Sequence, residues 1–427
     1  MRNKGHLARP GDFYIRVRAR IVALTIVMTL SVIAAQVAQA QTFSVLYSFT
    51  GGADGYGPAA GLTMDANGNL YGTTEYGGSL DDGAVFQLKH GLSSWVLNSL
   101  YSFTNGNDGE NPEARVIFGP DGSLYGTASS GGSGAVGTVF NLRPSPNFCR
   151  STVCPWNISV LYSFSLLDGG GGTPVTEPVF DHLGNLFGTT ILGGPDEAGI
   201  VYELSPMAGG GWNETVIHTF GGCDGAAPMG SLVFDASGNL YGTTYGGDGS
   251  CADGTVYQLT PAGSGWQETQ IHRFPFPNGD QYGLGPIGGV IVDPSGTLYG
   301  TTPYGGGGEG GTIFNATLSG GSWMLGLLHD LGSGLPLAEV GPVASLAMDT
   351  MGNLYGTTRS QGAYRSGSVF KLSRSGSSWT FSTLHDFTGG ADGWRPLSNL
   401  IFDSNGNLYG TTYGGGECCG VVFEITP

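Results

Sequence analysis

The stretch Gly238-Asn239-Leu240-Tyr241-Gly242-Thr243-Thr244 recurs, with small changes, seven times along the chain. Its aromatic residue falls at Tyr71, Tyr125, Phe187, Tyr241, Tyr299, Tyr355 and Tyr409, at intervals of 54 to 62 residues. A self-similar period of this size belongs to solenoids, propellers and arrays. A unit of about 55 residues that repeats in this way does not bury a core by itself, so the units form one domain, expected over residues 41–427.

Each unit reads as four strands. The first follows a proline: Pro58, Pro112, Pro174, Pro228, Pro286, Pro342 or Pro396, with Ser231-Leu232-Val233-Phe234 as its type. A turn of the form Asp-x-x-Gly follows, as in Asp235-Ala236-Ser237-Gly238. There the Asp side chain bonds its own backbone and Gly supplies a positive φ. Asn-Leu-Tyr-Gly-Thr-Thr is the second strand, rich in aromatic and β-branched residues. Its central glycine predicts the close approach of a neighbouring sheet. The third strand opens with a glycine, such as Gly254, and the fourth begins near Trp95, Trp156, Trp212, Trp266, Trp323 or Trp379. The expected fold is therefore all-β: a seven-bladed β-propeller of four-stranded antiparallel blades.

The last unit ends on its third strand, Gly420 to Ile425. The missing fourth strand lies at the other end of the mature chain, in Phe43-Ser44-Val45-Leu46-Tyr47-Ser48-Phe49. Pairing of 43–49 beside 420–425 closes the ring and leaves no open seam.

Ahead of this strand, Met1 to Arg20 carries six Lys/Arg, Ile21 to Ala35 is apolar, and Ala38-Gln39-Ala40 offers small residues. That order predicts a secretory signal, residues 1–40, cleaved after Ala40. The apolar run is short for a span, so no membrane span is expected after cleavage. Cleavage removes six basic residues and one acid, leaving 10 Lys/Arg and 32 Asp/Glu, a net charge of −22. Phosphate backbones repel such a chain, which excludes nucleic acid as a partner. Glycine, 79 of 427 residues, falls at fixed repeat positions and so marks turns rather than disorder.

Chemistry is expected where one blade departs from the others. His218, His272, His329 and His385 share one strand-four position with Tyr47, Tyr101 and Tyr162, which suits packing. The loops before strand one carry Asp54, Asp108, Asp168, Asp224, Asp280 and Asp392. These read first as turn residues. The alternative is a calcium ring built on Asp54, Asp108, Asp224 and Asp392, although no EF-hand run is present. Tyr76, Tyr245, Tyr304 and Tyr413 stand before glycines in the loops from strand two to strand three, on the same face as those acids. Aromatics beside carboxylates on one face suit a sugar, and mutual loop packing is the plainer reading. Arg359, Arg365, Arg395 and Glu197 are charges unique to one blade, with no spacing rule to pair them. No phosphate loop and no Gly-x-Ser-x-Gly elbow occurs.

Six cysteines in an oxidising compartment predict disulfides. The repeat register pairs Cys149 with Cys154 across a short insertion, and Cys223 with Cys251 between adjacent loops of blade four. Cys418 and Cys419 are left to each other or stay reduced.

The Asn-Leu-Tyr-Gly-Thr-Thr-x-Tyr-Gly-Gly signature, with Gly-Thr-Val-Phe-x-Leu and Leu-Tyr-Ser-Phe, resembles the GloVer tandem repeat of "choice-of-anchor" bacterial surface proteins. The resemblance covers about residues 43–427. It implies an exported bacterial protein and supplies no catalytic residues. With no anchoring tail after Pro427, secretion or periplasmic residence is expected rather than surface attachment. The reading is an exported, monomeric binding or scaffold propeller without cofactor, recognising a carbohydrate or a protein on its loop face. The alternative is a glycan lyase or hydrolase using carboxylates of that face.

Overall fold

A computed structural model describes residues 41–92, 94–145, 156–246, 254–275, 281–332, 341–376 and 378–426. Phe43–Thr426 form the compact unit. Seven four-stranded antiparallel sheets make it up. Blade one is Thr63–Met64, Leu70–Thr74, Ala84–His90 and Trp95–Ser102. Blades two to six follow the same order, and their fourth strands end at Ser163, Thr219, Arg273, Asp330 and Asp386. Blade seven takes Ile401–Phe402, Leu408–Thr412 and Val421–Thr426, and is completed by Thr42–Ser48. At this seam the Phe49 N–H donates to the Gly420 carbonyl at 2.9 Å. This is the propeller and the closure expected from the repeats.

The core lies between blades. Phe49, Leu62, Leu70, Phe86 and Leu88 of the first blade pack against Tyr409 and Val422 of the seventh. Tyr71 and Val85 pack in turn against Val116, Leu124 and Phe140 of the second. The motif aromatic reaches into the following blade, with Tyr71 edge-on to Phe118 at 5.2 Å and Tyr125 edge-on to Phe180 at 4.9 Å. In five blades its hydroxyl closes the Asp-x-x-Gly turn behind it; blade two has Gly119 in place of the Asp and blade three Phe187 in place of the tyrosine. Tyr241 donates to Asp235 at 3.0 Å, and Asp235 also accepts from the Ser237 and Asn239 backbones.

Two expectations are corrected here. The glycine inside Leu-Tyr-Gly-Thr-Thr faces an aromatic of its own blade, not another sheet. A Cβ on Gly72 would lie 2.6 Å from Phe86 Cζ, and one on Gly410 2.6 Å from Phe423 Cζ. The ring lies over the glycine because the two are direct cross-strand partners, Gly72 with Phe86 and Gly410 with Phe423. The first strand is also shorter than read: only Val233–Phe234 pairs in blade four. The residues between the proline and this strand leave the ladder and turn toward the ring axis. A carbonyl at or just after each proline accepts instead from a threonine hydroxyl of the preceding blade. The first Thr of each Thr-Thr pair donates across the blade boundary: Thr73 to Ala114, Thr127 to Thr176, Thr243 to Gly288, Thr301 to Ala344 and Thr357 to Ser398. Blade three uses Thr189 to Pro228. Thr411 to Ala60, at 3.0 Å, carries the belt over the seam. In blade two Ala128 replaces the second Thr, and the belt is unaffected.

Candidate functional site

The segments after the prolines converge on a cavity of about 320 Å³ lined by all seven blades. The first residue after each proline is Ala59, Glu113, Val175, Met229, Ile287, Val343 or Leu397, which is apolar except in blade two. The third is Gly61, Arg115, Glu177, Ser231, Gly289, Ser345 or Asn399. Here the charges meet. Arg115 Nη2 lies 3.1 Å from Glu177 Oε1, and Asn399 of blade seven donates to the same oxygen at 3.2 Å. Asn399 Oδ1 accepts from the Ser345 N–H at 2.9 Å. A polar brace thus crosses the axis and ties together blades two, three, six and seven. Gly61 leaves room for it, since a Cβ there would lie 3.2 Å from Asn399 and 3.4 Å from Arg115. Arg115 Nε is shut off from solvent and has no hydrogen-bond partner among the described residues.

Glu113 accepts from the Ser129 hydroxyl at 2.7 Å. Burial pushes its pKa up, the Ser129 bond opposes this, and the nearby Glu75 charge adds to the rise. Arg359 lines the same cavity. Burial lowers its pKa, and the neighbouring Arg395 lowers it further.

At the loop face the expected residues come together as an arc. The loop before strand one bridges the loop between strands two and three in the same blade, as Tyr56 with Tyr76 and Trp394 with Gly414. The Tyr56 and Tyr76 rings stack at 4.9 Å. Tyr76 and Tyr413 both lie near the Glu75 carboxylate, whose charge, together with burial, raises their pKa values. Tyr413 meets Trp394 edge-on at 6.2 Å, and the Arg395 guanidinium lies 4.9 Å over the Trp394 ring. Arg359 is within electrostatic reach of Arg395 and Tyr304, and burial, then the neighbouring Tyr245, raise the Tyr304 pKa. The four tyrosines are not equivalent in register. Tyr76 and Tyr304 are second after Thr-Thr and form the bridges, whereas Tyr245 and Tyr413 are first. Those two lean on Gly285 and Gly57 of the next blade, with 3.2 Å to a Cβ placed there.

The acids expected as calcium ligands sit just outside this arc as turn anchors. Asp54 accepts from the Tyr47 hydroxyl, the Thr50 N–H and hydroxyl, and the Gly52 N–H. Asp108 repeats the set with Tyr101, Thr104 and Gly106. Asp392 takes His385 and Thr388, and Asp224 takes the Gly221 N–H with His218 at 3.4 Å. No group of three metal-binding side chains occurs among the described residues. Cys418 and Cys419 form a vicinal disulfide beside Gly51, and Cys223 is disulfide-bonded. Cys149, Cys154 and Cys251 lie outside the described residues, as do the Cys149–Cys154 pairing and the Cys251 end of the other.

A second cavity, about 650 Å³, opens between blades three and four near the Asp-x-x-Gly turns. Phe180, Phe187, Phe234 and Trp266 line it. Phe187 lacks the hydroxyl that its tyrosine counterparts carry in the other blades.

The matching repeat model spans residues 31–247, 150–341 and 336–427, nearly the whole chain. The chain belongs to the Gloeobacter/Verrucomicrobia repeat family. No curated protein matches it. Among solved structures it is similar to a putative oxidoreductase (glucose dehydrogenase) of Thermus thermophilus: 17% identity, 74% of this chain and 96% of that one, TM-score 0.44. It is also similar to a gluconolactonase of Xanthomonas campestris: 16% identity, 71% and 82% covered, TM-score 0.39. A protein of unknown function from Dyadobacter fermentans gives 11% identity, 91% and 100% covered, and TM-score 0.45. Likenesses this distant carry no argument about what this repeat protein does.

Glu75, Glu113, Arg115, Glu177, Trp394 and Asn399 were not among the residues expected from sequence. Their signal is the alignment column. The first and third positions after the proline, the first after Thr-Thr and, for Trp394, the second before the proline vary from blade to blade while their surroundings repeat.

Proposed function

We propose that this is an exported propeller that binds carbohydrate at the loop face, over the mouth of the axial cavity. The observation that carries the reading is the arc of Tyr76, Glu75, Tyr413, Trp394 and Arg395, which sets aromatic rings beside a carboxylate and a guanidinium. A pyranose offers an apolar C–H face and a rim of hydroxyls, which is the chemistry such an arc complements. Blade-to-blade variation falls at these positions and not in the scaffold, as a recognition surface requires. Titration calorimetry of the mature chain against an oligosaccharide panel tests it. A ligand found there should bind at least about tenfold more weakly to Trp394→Ala and Tyr413→Ala, the usual scale for a central aromatic contact. No binding across the panel, or binding that ignores both substitutions, would overturn it.

One observation favours the catalytic alternative. Glu113 is held toward its protonated form beside Glu75, the pairing expected of a general acid and a second carboxylate. Reducing-end release from the same panel, abolished in Glu113→Gln, would establish glycosidic cleavage, by hydrolysis or by elimination. Binding without release keeps the binding reading.

A further inference from the structure

The cavity between blades three and four lies on the face opposite the loops, where the turns from strand one to two and from strand three to four come together. Its walls are Phe180 and Phe187 of blade three and Phe234 and Trp266 of blade four. Phe187 meets Phe234 edge-on at 5.2 Å and Trp266 at 5.7 Å, so the inter-blade core holds these walls in place. The lining also carries Asp181 and Asp235, and it has no Lys or Arg.

One end of this cavity is defined by a hydroxyl that blade three lacks. In blades one, four, five, six and seven the motif tyrosine donates to the turn aspartate at 3.0 to 3.3 Å. Asp235 thus has four donors: the Ser237 and Asn239 N–H groups, the Asn239 side chain and the Tyr241 hydroxyl. Asp181 has three. The Leu183 and Asn185 N–H groups share Oδ1, and the Asn185 side chain donates to Oδ2 at 2.9 Å. Phe187 leaves Oδ2 one donor short. Strand three places a second acid beside the same gap. Phe187 pairs with Glu203 as Tyr409 pairs with Glu424. In blade seven the Tyr409 hydroxyl lies 3.3 Å from Asp403 and 2.9 Å from Glu424, and so stands between them. Blade three has the same two acids without the hydroxyl. Among the described residues Glu203 accepts from the Ser205 hydroxyl alone, at 2.9 Å. Two carboxylates that share a vacated donor position favour a cation there over a neutral group.

We propose that this cavity is a second binding site, separate from the loop face, and that it takes an organic cation: a primary ammonium on an aromatic or alkyl skeleton. The ammonium occupies the place of the missing hydroxyl, between Asp181 and Glu203, and brings three donors where a phenol brings one. The skeleton lies against Phe180, Phe234 and Trp266, which removes its apolar surface from water and sets the charge near an indole face. The 32 acids of the mature chain, against 10 basic residues, draw cations to its surface. A bare calcium ion is a poorer match, because it takes six or more oxygens and the aromatic walls offer it none.

The experiment is calorimetric titration of the mature chain near neutral pH, where an alkylamine stays protonated. The probes are phenethylamine, its neutral counterpart 2-phenylethanol, and calcium chloride. Phenethylamine should bind about tenfold or more tightly than 2-phenylethanol at low salt, the scale of a charge-assisted bond, and the advantage should shrink as salt rises. Phe187→Tyr installs the residue of the other six blades, so it should melt no lower than the parent protein. Its hydroxyl fills the ammonium's place and should weaken phenethylamine by about tenfold or more. Asp181→Asn keeps a side-chain acceptor for the turn, and should remove most of the amine's advantage while changing 2-phenylethanol binding less than about twofold. Equal binding of amine and alcohol, amine binding that survives Phe187→Tyr, or no amine binding at all would overturn the proposal. Calcium binding that Phe187→Tyr abolishes would overturn it too, and would give the two acids to a metal.

Discussion

Replacing Thr411 by Val probes the closure of the ring. The Thr411 hydroxyl is fully buried and donates to the Ala60 carbonyl, which lies 351 residues earlier in the chain. Valine keeps the shape and removes the donor. No cavity forms, but the Ala60 carbonyl loses its partner inside the core. Leaving one buried acceptor unsatisfied costs about 1–3 kcal/mol. Unfolding entropy for a domain of this size is about 0.8 kcal/mol per kelvin, so the melting temperature should fall by about 1–4 °C. Thr243→Val is the internal control, because its donor serves Gly288 in the same geometry away from the seam. Both should be followed by calorimetry and by urea unfolding, with a single transition in each. The reasoning holds that the seam is one belt contact among seven. It fails if Thr411→Val melts like the parent protein, or if it costs several times more than Thr243→Val.

Gly410→Ala forces a methyl to within 2.6 Å of Phe423 and 2.8 Å of Leu400, and should destabilise by about 1–3 kcal/mol in urea titrations, although alanine is the better strand residue. Glu268 Oε1 is shut off from solvent without a hydrogen-bond partner among the described residues, and burial, then Asp224, raise its pKa to about 7. The folded state holds that proton more tightly than the unfolded state does, so its stabilisation is complete below the usual glutamate pKa and is lost as pH rises through about 7. Glu268→Gln should match the parent near pH ~4.5 and exceed it at pH ~8 by about 1 kcal/mol after screening, and equal stability at both pH values would refute this. Excess Ca²⁺ and a chelator should give superimposable melting curves, because an ion at Asp54 or Asp108 has to displace four donors from each. A rise in melting temperature with Ca²⁺ alone would show that the acids bind it regardless.

The architecture was legible because it is periodic. Proline, Asp-x-x-Gly and Leu-Tyr-Gly-Thr-Thr each repeat seven times or nearly so, and the lone strand at 43–49 had one vacant place to fill. The short first strand was not legible, because Ser231 and Leu232 have ordinary strand composition. What removes such residues from the ladder is a threonine hydroxyl of the preceding blade claiming a carbonyl nearby. The site was harder for a related reason. Glu177 and Asn399 are 222 residues apart and meet across an axis that no local pattern displays. The tyrosines were visible, but their one-residue offset matters. In a two-residue repeat it turns Tyr245 and Tyr413 toward the adjacent blade, while Tyr76 and Tyr304 pair within their own.

The seam also orders events in time. Strand Thr42–Ser48 is made near the start of synthesis, and its partner Val421–Thr426 near the end. At ordinary translation speeds the interval is on the order of half a minute. Throughout it the early strand is an unpaired edge, and its alternating polar residues, Thr42, Ser44 and Ser48, make it a poor template for self-association. Blade seven is therefore built from the oldest and the youngest parts of the chain, and six finished blades must wait for it. A nascent chain halted before residue 421 has no place to dock its first strand, and release of the closing strand, Val421–Thr426, is the step that turns an open array into a ring.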